Sequence, residues 1–166
     1  MIDLYSELKA VVQALRAGDV PYALCGGLAL MLYRQPRATV DINIVLPPEA
    51  TERLTAALIP LGFRPHSHPM RFQPPGIEIL RFYKTDPESR DVFTLDCLLT
   101  SHPTVADAWE SRVEAPFEEA SISVVSLHGL IALKQLRGSS QDLVDIEALR
   151  SLDDQEPGAG EERPHA

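Results

Sequence analysis

Apolar residues recur at helical spacing at Leu4, Leu8, Val11, Val12 and Leu15, so residues 2 to 17 predict an amphipathic helix that Gly18-Asp19 ends. The pattern then changes. "PYALC" is a short apolar strand, Gly26-Gly27 follows it, and "LALMLYR" is a short helix. Pro36 stops that helix because it cannot supply the next backbone donor. "ATVDINIVL" predicts a second strand. A helix from about 48 to 60 turns Leu54, Ala57 and Leu58 inward, with Gly62 as its stop. Residues 64 to 76 hold many prolines and two histidines and read as a loop. "IEILRFYKT" and "RDVFTLDCLL" are strands around the turn signal "DPES", a hairpin. Residues 101 to 120 read as irregular, with a short helix near Trp109, and "SISVVS" as a last strand. "LHGLIALKQLR" is a helix ended by Gly138, and Ser139 or Ser140 caps a final helix to about Arg150. The expected organisation is one domain over residues 1–152 and a disordered acidic tail over residues 153–166.

Two glycines between a strand and a helix let a backbone approach a ligand closely, and the new helix offers free N–H groups to phosphate. Alone, a double glycine is more often just a tight turn. The next strand sharpens the signal. Asp41 and Asn43 point to one face, with Ile42 and Ile44 on the other. A polar pair on an otherwise apolar strand needs a reason, because an unpaired buried carboxylate is expensive and a metal removes that cost. Asp96, in "FTLDCLL", is a further acid in an apolar strand. Together Asp41, Asn43 and Asp96 would offer a hard cation an all-oxygen ligand set, as magnesium prefers. A single acid near a strand end usually caps a turn or meets solvent. The weight therefore rests on Gly26, Gly27, Arg37, Thr39, Asp41 and Asp96 occurring in this order.

Bulk properties narrow the picture. The chain has 166 residues, 45% of them hydrophobic, enough for one domain with a sizeable core. No apolar run is long enough to cross a bilayer, and "MIDLYSELKA" lacks the pattern of a secretion signal, so a cytoplasmic location is expected. Cys25 and Cys97 form no CxxC pair and lie in apolar runs, so two reduced core thiols are expected rather than a zinc or redox centre. The formal net charge is -9, and nearly half of it lies in the tail, where Asp153, Asp154, Glu156, Glu161 and Glu162 outnumber Arg163. An acidic body argues against a broad nucleic-acid-binding surface. It leaves room for a small basic pocket that takes a triphosphate or an RNA end.

In these residues the sequence resembles the minimal nucleotidyltransferases of the polymerase-beta-like superfamily, with the closest likeness to their AbiEii toxin-like branch. The matches are Gly26-Gly27, the run Arg37-Ala38-Thr39-Val40-Asp41-Ile42-Asn43, and Asp96. "LIALKQLRGSSQDLVDIEAL" is similar to the family's C-terminal helical segment, with Lys134, Arg137, Asp142 and Asp145 at the matching places. The likeness runs from about residue 5 to 150. It implies an α+β fold, a mixed β-sheet packed with helices and followed by a C-terminal helical pair. It implies transfer of a nucleoside monophosphate from an NTP to a hydroxyl acceptor, with release of pyrophosphate and with Mg2+ held by Asp41, Asn43 and Asp96. The acceptor would be an RNA end, a protein or a small molecule, and a toxin–antitoxin role goes with the branch. The glycine turn and Thr39 would help to seat the triphosphate, and Lys134 and Arg37 would neutralise phosphate or developing charge. A homodimer or a partner protein would complete the acceptor site.

Asn43 departs from the family pattern, which has an acid there. An amide oxygen ligates magnesium but brings no negative charge, so it bridges two cations poorly. Two readings stay open: a magnesium-dependent transferase weakened by Asn43, and a non-catalytic nucleotide-binding or partner-binding protein on the same fold.

Other residues carry bland alternatives. Lys134 reads equally as a snorkelling surface lysine. Asp142 sits in the first turn of a helix, where an acid complements the dipole, and Asp145 is placed to pair with Lys134 or Arg137. His66 and His68 form an HxH without a third ligand, His102 reads as a turn residue, and His128 as a packed residue at a helix start. A hairpin turning at residues 86 to 89 puts Arg81 opposite Thr94 and on the face of Asp96, within reach of phosphate; a slip of one residue would reverse this.

Overall fold

The structure is a computed structural model that describes residues 3–35, 38–72 and 76–155. Its first helix, α1 (Leu4–Ala17), is capped by Asp3, whose carboxylate accepts the Tyr5 N–H, and it buries Leu8, Val11, Val12 and Leu15 as the spacing predicts. Strand β1 (Ala23–Cys25) runs into the short helix α2 (Gly26–Leu32), and β2 (Asp41–Leu46) returns antiparallel to β1. Helix α3 (Thr51–Leu58), entered through a 3-10 turn at Pro48–Ala50, buries Leu54 and Leu58. Gly62 ends the following 3-10 turn in the left-handed region.

Residues 64 to 76 are not a plain loop. They hold two short strands, β3 (Arg64–Pro65) and β4 (Met70–Phe72), both antiparallel to β5 (Ile77–Thr85). Strand β6 (Val92–Leu99) completes the expected hairpin with β5 and lies parallel to β2. The stretch expected to be irregular is helix α4 (Pro103–Glu110), which carries Trp109, followed by a strand, β7 (Val113–Phe117). Strand β8 (Ala120–Val124) pairs antiparallel with β7 and parallel with β1. Helices α5 (Leu127–Arg137) and α6 (Ser140–Gln155) end the fold. Helix α6 takes in Asp153 and Asp154 of the segment expected to be disordered; residues 156–166 of that segment lie outside the described residues.

The sheet is mixed, with strand order β3-β5-β6-β2-β1-β8-β7 and β4 also paired to β5. The end strands β3 and β7 carry Pro65 and Pro116, residues that a central strand cannot accommodate without losing a ladder bond. Ile42, Ile44, Leu95 and Cys97 are fully buried, which places the core face of β2 and β6. Lys84 points to the opposite side of β5 from Arg81, and its ammonium donates to Glu7 of α1 at 2.8 Å, so α1 covers that face. The other face carries the polar positions of β2, β5 and β6, and α5 closes over it with α2, α4 and α6 packed around. Among the described residues, no helix is long and apolar enough to cross a membrane.

Candidate active site

The polar face of the sheet and the α5–α6 pair enclose a cleft of about 640 Å³. Strand periodicity sets its floor. Asp41 and Asn43 come from β2, Asp96 and Leu98 from β6, and Ile77, Ile79 and Arg81 from β5. The pairings make a single row across four strands: Cys25 beside Asn43, Asn43 beside Asp96, Asp96 beside Arg81. Asp41 lies one pleat further along β2, beside Thr94. Asp41 and Asn43 are half-buried, while Asp96 is buried at 6% exposure.

The glycine pair owes its composition to these neighbours. Gly26 has φ +68, and a Cβ built there would fall 2.6 Å from the Asn43 Nδ2 and 2.9 Å from its Cβ. A Cβ on Gly27 would fall 2.8 Å from the Thr39 Oγ1. The turn between β1 and α2 is thus pressed on to the side chains at 39 and 43, and only glycine leaves the room. The Thr39 hydroxyl in turn donates to the Asp41 carboxylate at 3.1 Å, which fixes the direction of that acid. Arg37 lies outside the described residues.

Arg81 stands opposite Asp96, not opposite Thr94 as a turn at residues 86 to 89 would have it. The last ladder pair is Thr85 with Val92, so the connection spans residues 86–91. Asp86 organises it: its carboxylate accepts the N–H groups of Glu88 and Ser89, and Arg90 extends the turn in the left-handed region. A register shift of two keeps the face, so Arg81 still points into the cleft. Its guanidinium grips Asp96 in a fork, Nε to Oδ1 at 2.7 Å and a terminal N–H to Oδ2 at 2.9 Å. The hydrogen bond to Asp96 pushes the Arg81 pKa up, so the guanidinium stays charged at any pH the fold survives.

Lys134 is not a snorkelling surface lysine. It is 4% exposed and donates to Asp145 at 2.9 Å, with Asp142 at 3.8 Å. Asp142 has no exposure and is the hub of the helical pair. Arg137 forks on to it at 2.7 and 2.8 Å. Ser139, rather than Ser140, caps α6: its hydroxyl accepts the Asp142 N–H at 3.1 Å, and Asp142 accepts the Ser139 N–H at 3.0 Å, a reciprocal capping box. Gln141 donates to the other oxygen of Asp145 at 2.9 Å. Burial pushes the Asp142 carboxyl up, but Arg137 and Ser139 outweigh it and hold the carboxyl below the usual aspartate value. Lys134, Arg137 and Asp142 all line the cleft.

The remaining expectations sort cleanly. Cys25 and Cys97 are free, buried thiols. His102 caps α4 by accepting the Thr104 N–H. His128 is exposed, not packed, and lies 3.9 Å from Asp153. The His66 ring lies 3.4 Å from the His68 carbonyl, and no group of three His, Cys, Asp or Glu among the described residues is placed to hold a metal ion. The feature that sequence reasoning missed is an apolar wall: Phe72 of β4 with Ile77, Ile79 and Leu98, facing Leu133 and Leu136 of α5. Reading residues 64 to 76 as a loop hid Phe72.

Known proteins share this fold. Fold similarity extends over 91% of this chain and 95% of ANT(2″)-Ia, solved in complex with adenylyl-2″-tobramycin, at 17% identity and a TM-score of 0.62. TM1012 of Thermotoga maritima, assigned to the nucleotidyltransferases, matches over 90% of this chain and 92% of its own at 13% identity and a TM-score of 0.63. At these identities the likeness shows the fold. No curated protein matches the sequence. The family model described as "Nucleotidyl transferase AbiEii toxin, Type IV TA system" matches residues 10–160. That span takes in the glycine turn, both acidic strands and the capped helical pair, and the chain belongs to the AbiEii nucleotidyltransferase toxin family.

Proposed function

We propose that the protein transfers a nucleoside monophosphate from an NTP to a hydroxyl acceptor in a magnesium-dependent reaction. One observation carries this: Gly26, Gly27, Asp41, Asn43, Asp96 and Lys134 all line a single cleft. In the reaction the acceptor oxygen attacks the α-phosphorus, the bond to the oxygen bridging the β-phosphate breaks, and pyrophosphate leaves with the negative charge. The acceptor proton passes to a cleft carboxylate or to water.

The donor set fits a hard cation. Asp41 and Asn43 present oxygen atoms side by side from one strand, and Asp96 is the neighbour of Asn43 in the ladder. Asp41 and Asn43 would hold Mg2+, which when bound would offset triphosphate charge and acidify a coordinated hydroxyl, while Asp96 beside them is already forked by Arg81. The protein supplies the rest. Thr39 keeps Asp41 aimed into the cleft. Arg81 brings positive charge to it from the floor strand β5. Phe72 and the aliphatic residues beside it give one end of the cleft an apolar lining.

The cleft's charge pattern bears on the acceptor. Asp96 and Asp142 are engaged by Arg81 and Arg137, so Asp41 is the carboxylate that meets no cationic side chain within ion-pair distance among the described residues. A polycationic acceptor therefore finds little to hold it, and a neutral or anionic one, such as an RNA end, fits better. A partner antitoxin is the protein partner that the family description brings into question.

The test is incubation with α-labelled NTPs, Mg2+ and separate pools of RNA, protein and small molecules. Label should move to one pool, should vanish with EDTA, and should fail with Asp41→Asn. No label from either the natural protein or Asn43→Asp would replace this reading with that of a nucleotide-binding protein without catalysis.

A further inference from the structure

Asp96 meets a cation already supplied by the protein. Arg81 lies directly across the ladder from it and takes both carboxylate oxygens, at 2.7 and 2.9 Å. On the other flank of Asp96, in the same row, is Asn43. The row thus reads amide, carboxylate, guanidinium where a two-ion site needs carboxylates to bridge the ions. Asn43 makes no hydrogen bond to another side chain among the described residues, and it lines the cleft. Lys134 and Arg137 do not supply this charge, since Asp145 and Asp142 hold them. The Arg81 side chain is 41% exposed, so one side of the guanidinium remains free to meet a ligand in the cleft.

We propose that Arg81 is a resident cation of this site: it neutralises Asp96, stands in for a second metal ion, and leaves a place for one divalent ion at Asp41 and Asn43. The proposal rests on the transferase reading of the cleft. Two residues then balance each other. A carboxylate is absent at 43 and a cation is present at 81, so charge near Asp96 is balanced before any ligand arrives. A second divalent ion would have to displace a forked guanidinium or sit beside it, against a repulsion that grows steeply at short range. In the loaded site Arg81 is a positioning residue for Asp96 and an electrostatic partner for triphosphate.

The experiment reads metal binding without nucleotide, acceptor or turnover. Mn2+ alone is titrated into the full chain, and bound ion is read from the loss of the free-ion EPR signal. The natural protein should take one ion per chain, weakly. Arg81→Gln should bind Mn2+ about tenfold more tightly or better, because a positive charge beside the ion is gone. Arg81→Lys keeps the charge and should stay within about threefold of the natural protein. Arg81→Gln with Asp41→Asn should lose the gain, which locates the ion. Arg81→Met repeats the charge loss should the glutamine variant misfold. Two ions bound per chain in the natural protein with Mn2+ alone would overturn the proposal. So would equal Mn2+ affinity in folded Arg81→Gln or Arg81→Met and the natural protein. A protein that moves no label can still pass this test, and one that moves label can still fail it, so the two readings fall separately.

Discussion

Gly26 and Asn43 touch. A Cβ on the glycine would lie 2.6 Å from the asparagine amide nitrogen, and the glycine backbone is left-handed at φ +68. Strain and overlap add at this position. Gly26→Ala should destabilise the fold by about 3 kcal/mol, from an αL penalty and overpacking together. Urea denaturation followed by circular dichroism measures it. A loss under about 0.5 kcal/mol would mean that the turn relaxes freely and does not set the position of residue 43.

Asn43→Asp is the same size as the natural residue, so the contact with Gly26 survives it. The change adds a carboxylate next to Asp96 on a face where Arg81 is already at hand. Label transfer should rise at least about tenfold if added attraction for a cation lowers the barrier by about 1.4 kcal/mol or more. The melting temperature should move little. Rates at matched Mg2+ and NTP decide it; an unchanged or lower rate would show that an acid at 43 is not what limits the reaction.

Asp142→Asn should cost about 1–2 kcal/mol of stability, because the buried carboxylate that Arg137 and the Ser139 cap both use is gone, while Lys134 keeps Asp145. The pH dependence has a definite sign. The Asp142 carboxyl is held below its ordinary value of 3.8, so its contribution is fully present above that pH and is lost as pH falls through the lowered value. The stability gap between natural protein and variant should be flat from neutral pH to about 4 and should narrow below it. A gap that narrows between pH 5 and 7 would point to a different titrating group.

Burial pushes the Cys25 thiol up to about 12 and the Cys97 thiol well above its usual value. Neither should react with a thiol reagent at pH 8 in the folded protein, and both should react in denaturant. Fast labelling of Cys25 in the native state would show that β1 opens readily beside the cleft.

Much of the site was legible because strands keep a period of two. That rule alone put Asp41 and Asn43 on one face, and it kept Arg81 on the face of Asp96 although the hairpin loop is longer than "DPES" suggests. Proline hid the rest. Pro65 and Pro116 argue against strands in any central position, yet β3 and β7 are the outermost strands, where a missing N–H costs nothing. Lys134 was ambiguous for another reason. Its helix has apolar residues on more than one side, and only the folding-back of α6, through the Ser139–Asp142 box, reveals that a lysine there is enclosed by acids.

The same two prolines have a further effect. A β-sheet grows when an incoming backbone finds a free row of amides along its border, and here the end strands β3 and β7 have each lost a donor to proline. Copies of this chain crowded together find those two end strands poor seams to stitch themselves along. Association with itself or with another protein is therefore steered to side-chain surfaces, where charge and shape can discriminate between partners.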